Sequence, residues 1–200
     1  MTTQDLEVRR GETFALQEEY TKVFEHYLPS ELRRRQEPVR VISVGCDLAL
    51  EFKALRQFFP QMYIEGIDNR GFSLEGARVY NRDLPSERFR EADARDINSF
   101  GKEGWDMVIL RNPQVGPSEG RIGYNWELIF QNSVASLKDR GYIFLTALER
   151  EEMDAAINFF TTDPKLGVVV TPQPIVPPLV SKAVLVEHFV AVLQKSANLS

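Results

Sequence analysis

Residues 41–52 read VISVGCDLALEF. Val41, Ile42, Ser43 and Val44 form a nearly continuous apolar run, the pattern of a strand buried on both faces. Gly45 then marks a sharp turn. A glycine-rich loop after a first strand is a common cradle for nucleotides, because it lets the backbone approach a phosphate at a helix N-terminus. Here Asp47 stands where a further glycine would be expected. The stretch therefore raises two questions: whether the loop holds a nucleotide, and what charge that nucleotide carries.

Outward from this stretch the chain alternates with regularity. Upstream, residues 13–35 carry Phe14, Leu16, Tyr20, Val23, Phe24, Tyr27 and Leu28 mostly on one helical stripe, and Pro38 follows as a stop. Strands are expected over 39–44, 62–67, 88–92, 105–110 and 142–147, with helices over 48–59, 73–82, 124–137 and 149–160. Ser73 is the expected N-cap of the third helix, and Lys138-Asp139-Arg140-Gly141 the stop signal of the fourth. Such alternation implies an α/β, doubly wound, mostly parallel sheet with helices on both faces. Two further strands, 166–171 and 187–194, have no convincing helix between them, which makes seven strands with the last antiparallel. The proline-rich link PQPIVPPLV (172–180) reads as a rigid surface connection, or else as a wall of a pocket.

Composition narrows the class. Two hundred residues, 43% hydrophobic and 26% charged, fit one globular domain. No 18-residue apolar run suggests a membrane span, and MTTQDLEVRRGETF lacks the apolar centre of a secretory leader. Cys46 is the single cysteine, so no internal disulfide can form, and a cytoplasmic location is expected. His26 and His188 have no ligand-spaced companions, so no metal site is expected. The net charge of −5 argues against nucleic acid as a partner. Arg33-Arg34-Arg35 reads as the solvated C-terminal end of a helix.

In open α/β sheets ligands sit beyond the carboxyl ends of the strands. Those ends are Gly45-Cys46-Asp47, Asp68-Asn69, Asp93-Ala94-Arg95 and Arg111-Asn112-Pro113. Asp68 follows Gly45 by 23 positions, close to the spacing at which an acid accepts hydrogen bonds from ribose hydroxyls. A carboxylate suits that role because it can accept from two hydroxyls at once.

Taken in order, these segments resemble the class I S-adenosylmethionine-dependent methyltransferases over residues 39–195. VISVGCDLALEF resembles motif I, IEGIDNR the second motif, FREADARDI the third and WDMVILRNP the fourth. SLKDRGYIFL resembles the glycine turn into strand five, and HFVAVLQK the antiparallel closing strand. The resemblance implies a Rossmann-like domain over 39–200, with residues 1–38 a helical segment packed on it. It also implies S-adenosylmethionine as cofactor, held by Gly45, Cys46, Asp47, Asp68, Asn69, Asp93, Ala94 and Arg111. Asp68 would take the ribose, Asp93 the adenine amino group, and Ala94 the ring. Asp47 and Ala49 depart from the G-x-G-x-G loop. A carboxylate at position 47 opposes a pyrophosphate but accommodates the ammonium and sulfonium of S-adenosylmethionine.

The implied activity is methyl transfer to a small molecule, with Asn112, Pro113 and Tyr124 on the acceptor side. Glu119, Asn125 and Trp126 are further acceptor-side candidates, and Arg111 could meet an acceptor carboxylate or phosphate. No catalytic base can be named, since methyl transfer to a nucleophilic acceptor depends chiefly on positioning. Two alternatives stay open: a protein of this fold that binds S-adenosylmethionine, S-adenosylhomocysteine or a partner without catalysis, and a nucleotide-dependent oxidoreductase.

Overall fold

The structure is a computed structural model that describes residues 17–85, 88–101, 104–113, 122–162, 168–173 and 189–196. The described residues begin with α1 (17–27), α2 (Ser30–Arg33), β1 (Arg40–Val44), α3 (Glu51–Phe58), β2 (Tyr63–Asp68) and α4 (Gly71–Tyr80). Next come β3 (Phe89–Glu91), a 3-10 turn (Ile97–Phe100), β4 (Trp105–Arg111) and α5 (Ile122–Ser136). It closes with β5 (Leu137–Ala147), α6 (Arg150–Thr162), β6 (Val168–Gln173) and β7 (Phe189–Lys195).

The opening strand lies at the centre. β1 pairs in parallel with β2, Val44 opposite Ile67, and with β4, Val44 opposite Leu110. The seven strands of the described residues run in the order β3-β2-β1-β4-β5-β7-β6, and β7 runs antiparallel to both of its neighbours. The fold is thus α/β and doubly wound. Strand order reverses between β1 and β4, and this switch point opens a crevice at the carboxyl ends.

The pleat explains why the strands read as unbroken apolar runs. Val41, Met107, Ile109 and Phe144 face one way, into a core with Tyr20, Phe24, Leu32, Phe52 and Leu55. Ile42, Val108, Leu110, Ile143 and Leu145 face the other, against Phe130, Val134, Ala156 and Phe160. Alternate residues of one strand thus serve two buried layers. On the second face the Phe130 and Phe160 rings pack with centroids 4.8 Å apart. β6 lies at the sheet edge, where Pro172 costs no central ladder bond.

Several boundaries differ from the sequence reading, each for a local reason. The first helix does not run unbroken to residue 35. It ends at 27 and resumes at Ser30, because Pro29 cannot donate a backbone bond. The arginines beyond it are not simply solvated. Arg33 donates from Nη2 to the carbonyls of Glu25 (2.7 Å) and Leu28 (2.8 Å), capping α1. Arg35 pairs with Asp106, which is buried and also accepts from Arg40 N (2.9 Å) and Lys138 Nζ (3.1 Å). α3 starts at Glu51 rather than 48, since the preceding residues form an irregular loop.

Ser73 is not an N-cap. α4 begins at Gly71, Arg70 precedes it without a side-chain cap bond, and Ser73 is buried in the first turn. β5 begins at Leu137, which pairs with Trp105, and a bulge precedes the pairing of Tyr142 with Met107. Gly141 belongs to this bulge, where a Cβ would lie 2.9 Å from the Lys138 carbonyl oxygen. The last two strands are shifted by two residues from their expected starts. Residues 13–16, Glu119, His188 and the link from 174 to 180 lie outside the described residues.

Candidate functional site

The loop after β1 turns by three residues in the left-handed region: Gly45 (φ 66°), Asp47 (φ 47°) and Ala49 (φ 51°). Two side-chain-bearing residues therefore adopt the backbone that glycine adopts freely. For an L-residue this costs about 1–2 kcal/mol, less for aspartate than for alanine. The surroundings hold the loop there. Ile67 O accepts from Gly45 N (2.8 Å) and Cys46 N (3.2 Å), and buried Asn81 donates from Nδ2 to Ala49 O (3.3 Å).

Beneath the loop lies a buried polar network. Glu51 is fully buried and accepts from Ser43 Oγ at 2.6 Å. Arg111 Nη1 lies 3.3 Å from Glu51 Oε2 and donates to Cys46 O at 3.1 Å. The Arg111 guanidinium also lies over the Tyr20 ring, 5.4 Å from its centroid. Arg111 thus braces the loop from below and does not line the cavity described next. Cys46 is buried too, and burial, with Glu51 and Asp68 nearby, pushes its thiol well above the ordinary range. Gly66 makes room for that thiol, since a Cβ on it would sit 2.7 Å from Cys46 Sγ.

A cavity of about 350 Å³ opens at the carboxyl ends of β1, β2 and β3. Gly45, Asp68, Asn69, Asp93 and Ala94 line one side of it, and Asn125, Trp126 and Ile129 of α5 line the other. Five of the sequence-predicted cofactor residues meet here. Cys46, Asp47 and Arg111 are not on its wall, and neither are Asn112 and Pro113. Asn112 has φ 46° and donates from its backbone to Thr146 O at 2.9 Å, while Pro113 is buried. Tyr124 falls in the first turn of α5.

The two acids of the cavity share one local device. In Asp68-Asn69-Arg70, Asp68 Oδ1 accepts from Arg70 N (2.9 Å) and Nε (3.3 Å). In Asp93-Ala94-Arg95, Asp93 Oδ1 accepts from Arg95 N (2.9 Å) and Nε (2.9 Å). Aspartate readily accepts from the backbone N–H two residues on, and here the arginine side chain closes over the same carboxylate. The environments differ: the Asp68 side chain is 2% exposed and that of Asp93 47%. Asp68 Oδ2 also accepts from Asp47 N (3.0 Å), tying the β1 loop to the end of β2.

Sequence reading misses Arg95 as part of the wall, and Asn132, which donates to the carbonyls of Ala94 (3.1 Å) and Arg95 (2.8 Å) and so fixes α5 against the β3 loop. Arg95 already stands at a strand end in the sequence, and the D-x-R repeat it shares with Asp68-Asn69-Arg70 is the further signal that could have assigned it to the wall.

The Arg95 side chain, then its backbone N–H, holds the Asp93 carboxyl below its usual value of 3.8. A depressed carboxyl contributes stability that is present above the unfolded-state value and lost as pH falls through the folded one. With both side chains about half exposed, that contribution is small. A carbon-detected titration is expected to place Asp93 below the ordinary aspartate range, and Arg95→Ala to return it there. An ordinary midpoint in the parent protein would show that the fork does not persist in solution.

Among the described residues, no group of His, Cys, Asp or Glu could hold a metal ion, and no helix is long and apolar enough to cross a membrane. No protein-family model matches the sequence, and no curated protein does. Solved structures do match. One is an amino pentose methyltransferase of calicheamicin biosynthesis from Micromonospora echinaspora, determined with bound S-adenosylmethionine (14% identity, 98% of each chain, TM-score 0.64). A precorrin-6y C5,15-methyltransferase from Geobacter metallireducens matches at 16% identity over 84% of this chain and 85% of that one, with a TM-score of 0.59. An rRNA methylase from Streptococcus thermophilus matches at 10% identity, 91% and 95% coverage and a TM-score of 0.60. In strand order, in its antiparallel seventh strand and in these matches, the chain has the fold of the class I S-adenosylmethionine-dependent methyltransferases.

Proposed function

We propose that the protein is an S-adenosylmethionine-dependent methyltransferase acting on a small molecule in the cytoplasm. The observation that carries this reading is the convergence of Gly45, Asp68 and Asp93, from the ends of three adjacent strands, on one cavity beside the switch point. The cavity suits the adenosine half of the cofactor. Its volume falls within the range of about 300–1,000 Å³ usual for small-ligand clefts. Trp126 and Ile129 offer apolar surface to a base, Asp93 offers an acceptor to an amino group, and Asp68 offers one to the ribose. Asp47 is half exposed, with Arg70 Nη2 3.7 Å away, in the loop where a pyrophosphate would need neutral backbone. This favours a cationic nucleoside over a dinucleotide and disfavours the oxidoreductase reading.

S-adenosylmethionine supplies an activated methyl group to a nucleophilic acceptor. The chain's own part is to bind and orient. Asn132 and the Arg95 fork fix the base side, and the Glu51–Arg111 network fixes the loop. The acceptor would enter beyond β4, near Asn112 and Pro113. The net charge of −5 sets the protein against polyanionic acceptors and supports a small one.

Calorimetry with S-adenosylmethionine, S-adenosylhomocysteine and NAD tests the reading, and binding of neither sulfur nucleoside would overturn it. Asp68→Ala is expected to weaken S-adenosylhomocysteine binding by about 1–3 kcal/mol, the cost of unpaired hydroxyls. Unchanged affinity would remove Asp68 from the ribose. Asp47 favours one second reading, a protein that binds the cofactor without transferring its methyl group, because it replaces a loop glycine. Tight binding with no turnover across a metabolite panel would favour that reading.

A further inference from the structure

The Asp68 carboxylate has about four acceptor positions. Three are already taken within the protein: Asp47 N on Oδ2 at 3.0 Å, and Arg70 N and Nε on Oδ1 at 2.9 and 3.3 Å. The two backbone donors belong to the turn and cannot leave without unmaking it. The third is different. Arg70 is an exposed side chain, 53% accessible, lying over an Asp68 side chain that is only 2% accessible. Its guanidinium reaches on to Asp47 Oδ1 at 3.7 Å and lies 5.6 Å from the Phe72 ring centroid. One acceptor position remains, while a ribose diol brings two hydroxyls.

We propose that Arg70 is a displaceable strap across the ribose acceptor, so that a ligand engages both hydroxyls on Asp68 only by expelling the Arg70 Nε–H from Oδ1. The proposal rests on the reading of Asp68 as the ribose acid. Displacement needs no backbone movement, because the Arg70 side chain can turn outward while its N–H stays on Oδ1. The strap is anchored at its far end by Asp47, the residue that stands in place of the loop glycine. The departure in the loop and the cover over the ribose acid are therefore parts of one arrangement. A cationic ligand strengthens the exchange, since its ammonium can replace the Arg70 charge beside Asp47. The strap thus makes Arg70 a specificity-determining residue for the ribose hydroxyls.

The comparison with Asp93 sharpens the point. Arg95 grips that carboxylate more fully, with Nε on both oxygens at 2.9 Å and Nη2 on Oδ2, but the carboxylate is 47% exposed and an amino group asks for a single acceptor. The cover weighs more at Asp68, which is buried and must serve two donors.

Calorimetry tests the strap with S-adenosylhomocysteine and its 2′-deoxy analogue, on the parent protein, Arg70→Ala and Arg70→Gln, with thermal melting to confirm that each variant is folded. Both variants are expected to bind S-adenosylhomocysteine about threefold to tenfold more tightly than the parent. Loss of the 2′-hydroxyl should cost the parent little and the variants several-fold, a dependence that a merely structural Arg70 would not produce. Equal or weaker binding by both folded variants, or the same deoxy penalty in all three proteins, would overturn the strap while leaving the cofactor reading standing. Binding of neither nucleoside by any of the three proteins would overturn both.

Discussion

Arg111→Met is expected to destabilise the fold by about 3–5 kcal/mol, the usual cost of leaving one member of a buried ion pair behind. Glu51 is fully buried, Arg111 is 14% exposed, and their closest atoms lie 3.3 Å apart. Without the guanidinium, Glu51 keeps its bond from Ser43 Oγ, and the Cys46 carbonyl loses its Arg111 donor. Methionine matches the arginine stem in volume, so the loss reports charge and hydrogen bonding more than packing. Urea denaturation gives the magnitude. The double variant Glu51→Leu/Arg111→Met should recover most of the loss, because an apolar pair carries no uncompensated charge. A single-variant cost below about 1 kcal/mol would mean that water reaches the site and that the network does not brace the loop.

Phe24→Ala is the second large effect, again about 3–5 kcal/mol. The Phe24 ring is fully buried, with the Phe144 ring of β5 at 5.0 Å and that of Tyr20 at 6.1 Å. Its removal would leave a cavity between α1 and the sheet that neither a helix nor a strand can close. Lys22→Ala on the exposed side of the same helix should change stability by no more than about 0.5 kcal/mol. A small effect at Phe24 would mean that α1 docks loosely and adds little to the core. A large one makes the N-terminal helix an integral layer of the sheet's covering.

The parallel sheet is legible in the sequence for a physical reason. A strand buried on both faces must be apolar throughout, and proline or glycine marks where each element stops. Pro60 and Gly45 do this clearly. Pro29 does it too, but the long apolar stripe of the first helix outweighs one proline until Arg33 is seen capping the break. Ser73 has the composition of a cap and sits inside the helix instead, because Arg70 already turns the chain immediately ahead of Gly71 and closes on Asp68.

The cavity acids are legible because topology, not packing detail, brings strand ends together. Asp68 and Asp93 end adjacent parallel strands and had to approach one another. Arg111 is different. It ends β4 and reads as a ligand-facing cation, yet its side chain joins Glu51 under the loop, 60 positions earlier in the chain. Nothing local in either segment announces that pairing.

By itself, the sequence determined the alternation of elements, the seven strands, the turn at Gly45 and the gathering of Asp68 and Asp93 at one edge, since each depends on local pattern and on strand direction. Only the tertiary structure decided which acid is buried, where Arg111 turns, and that Asp47 and Ala49 are held in a glycine-like backbone. Those outcomes are set by contacts between residues distant in the chain, such as Asn81 on Ala49 and Asp47 on Asp68. The loop VISVGCDLALEF keeps its shape because its neighbours compensate for the glycines it lacks.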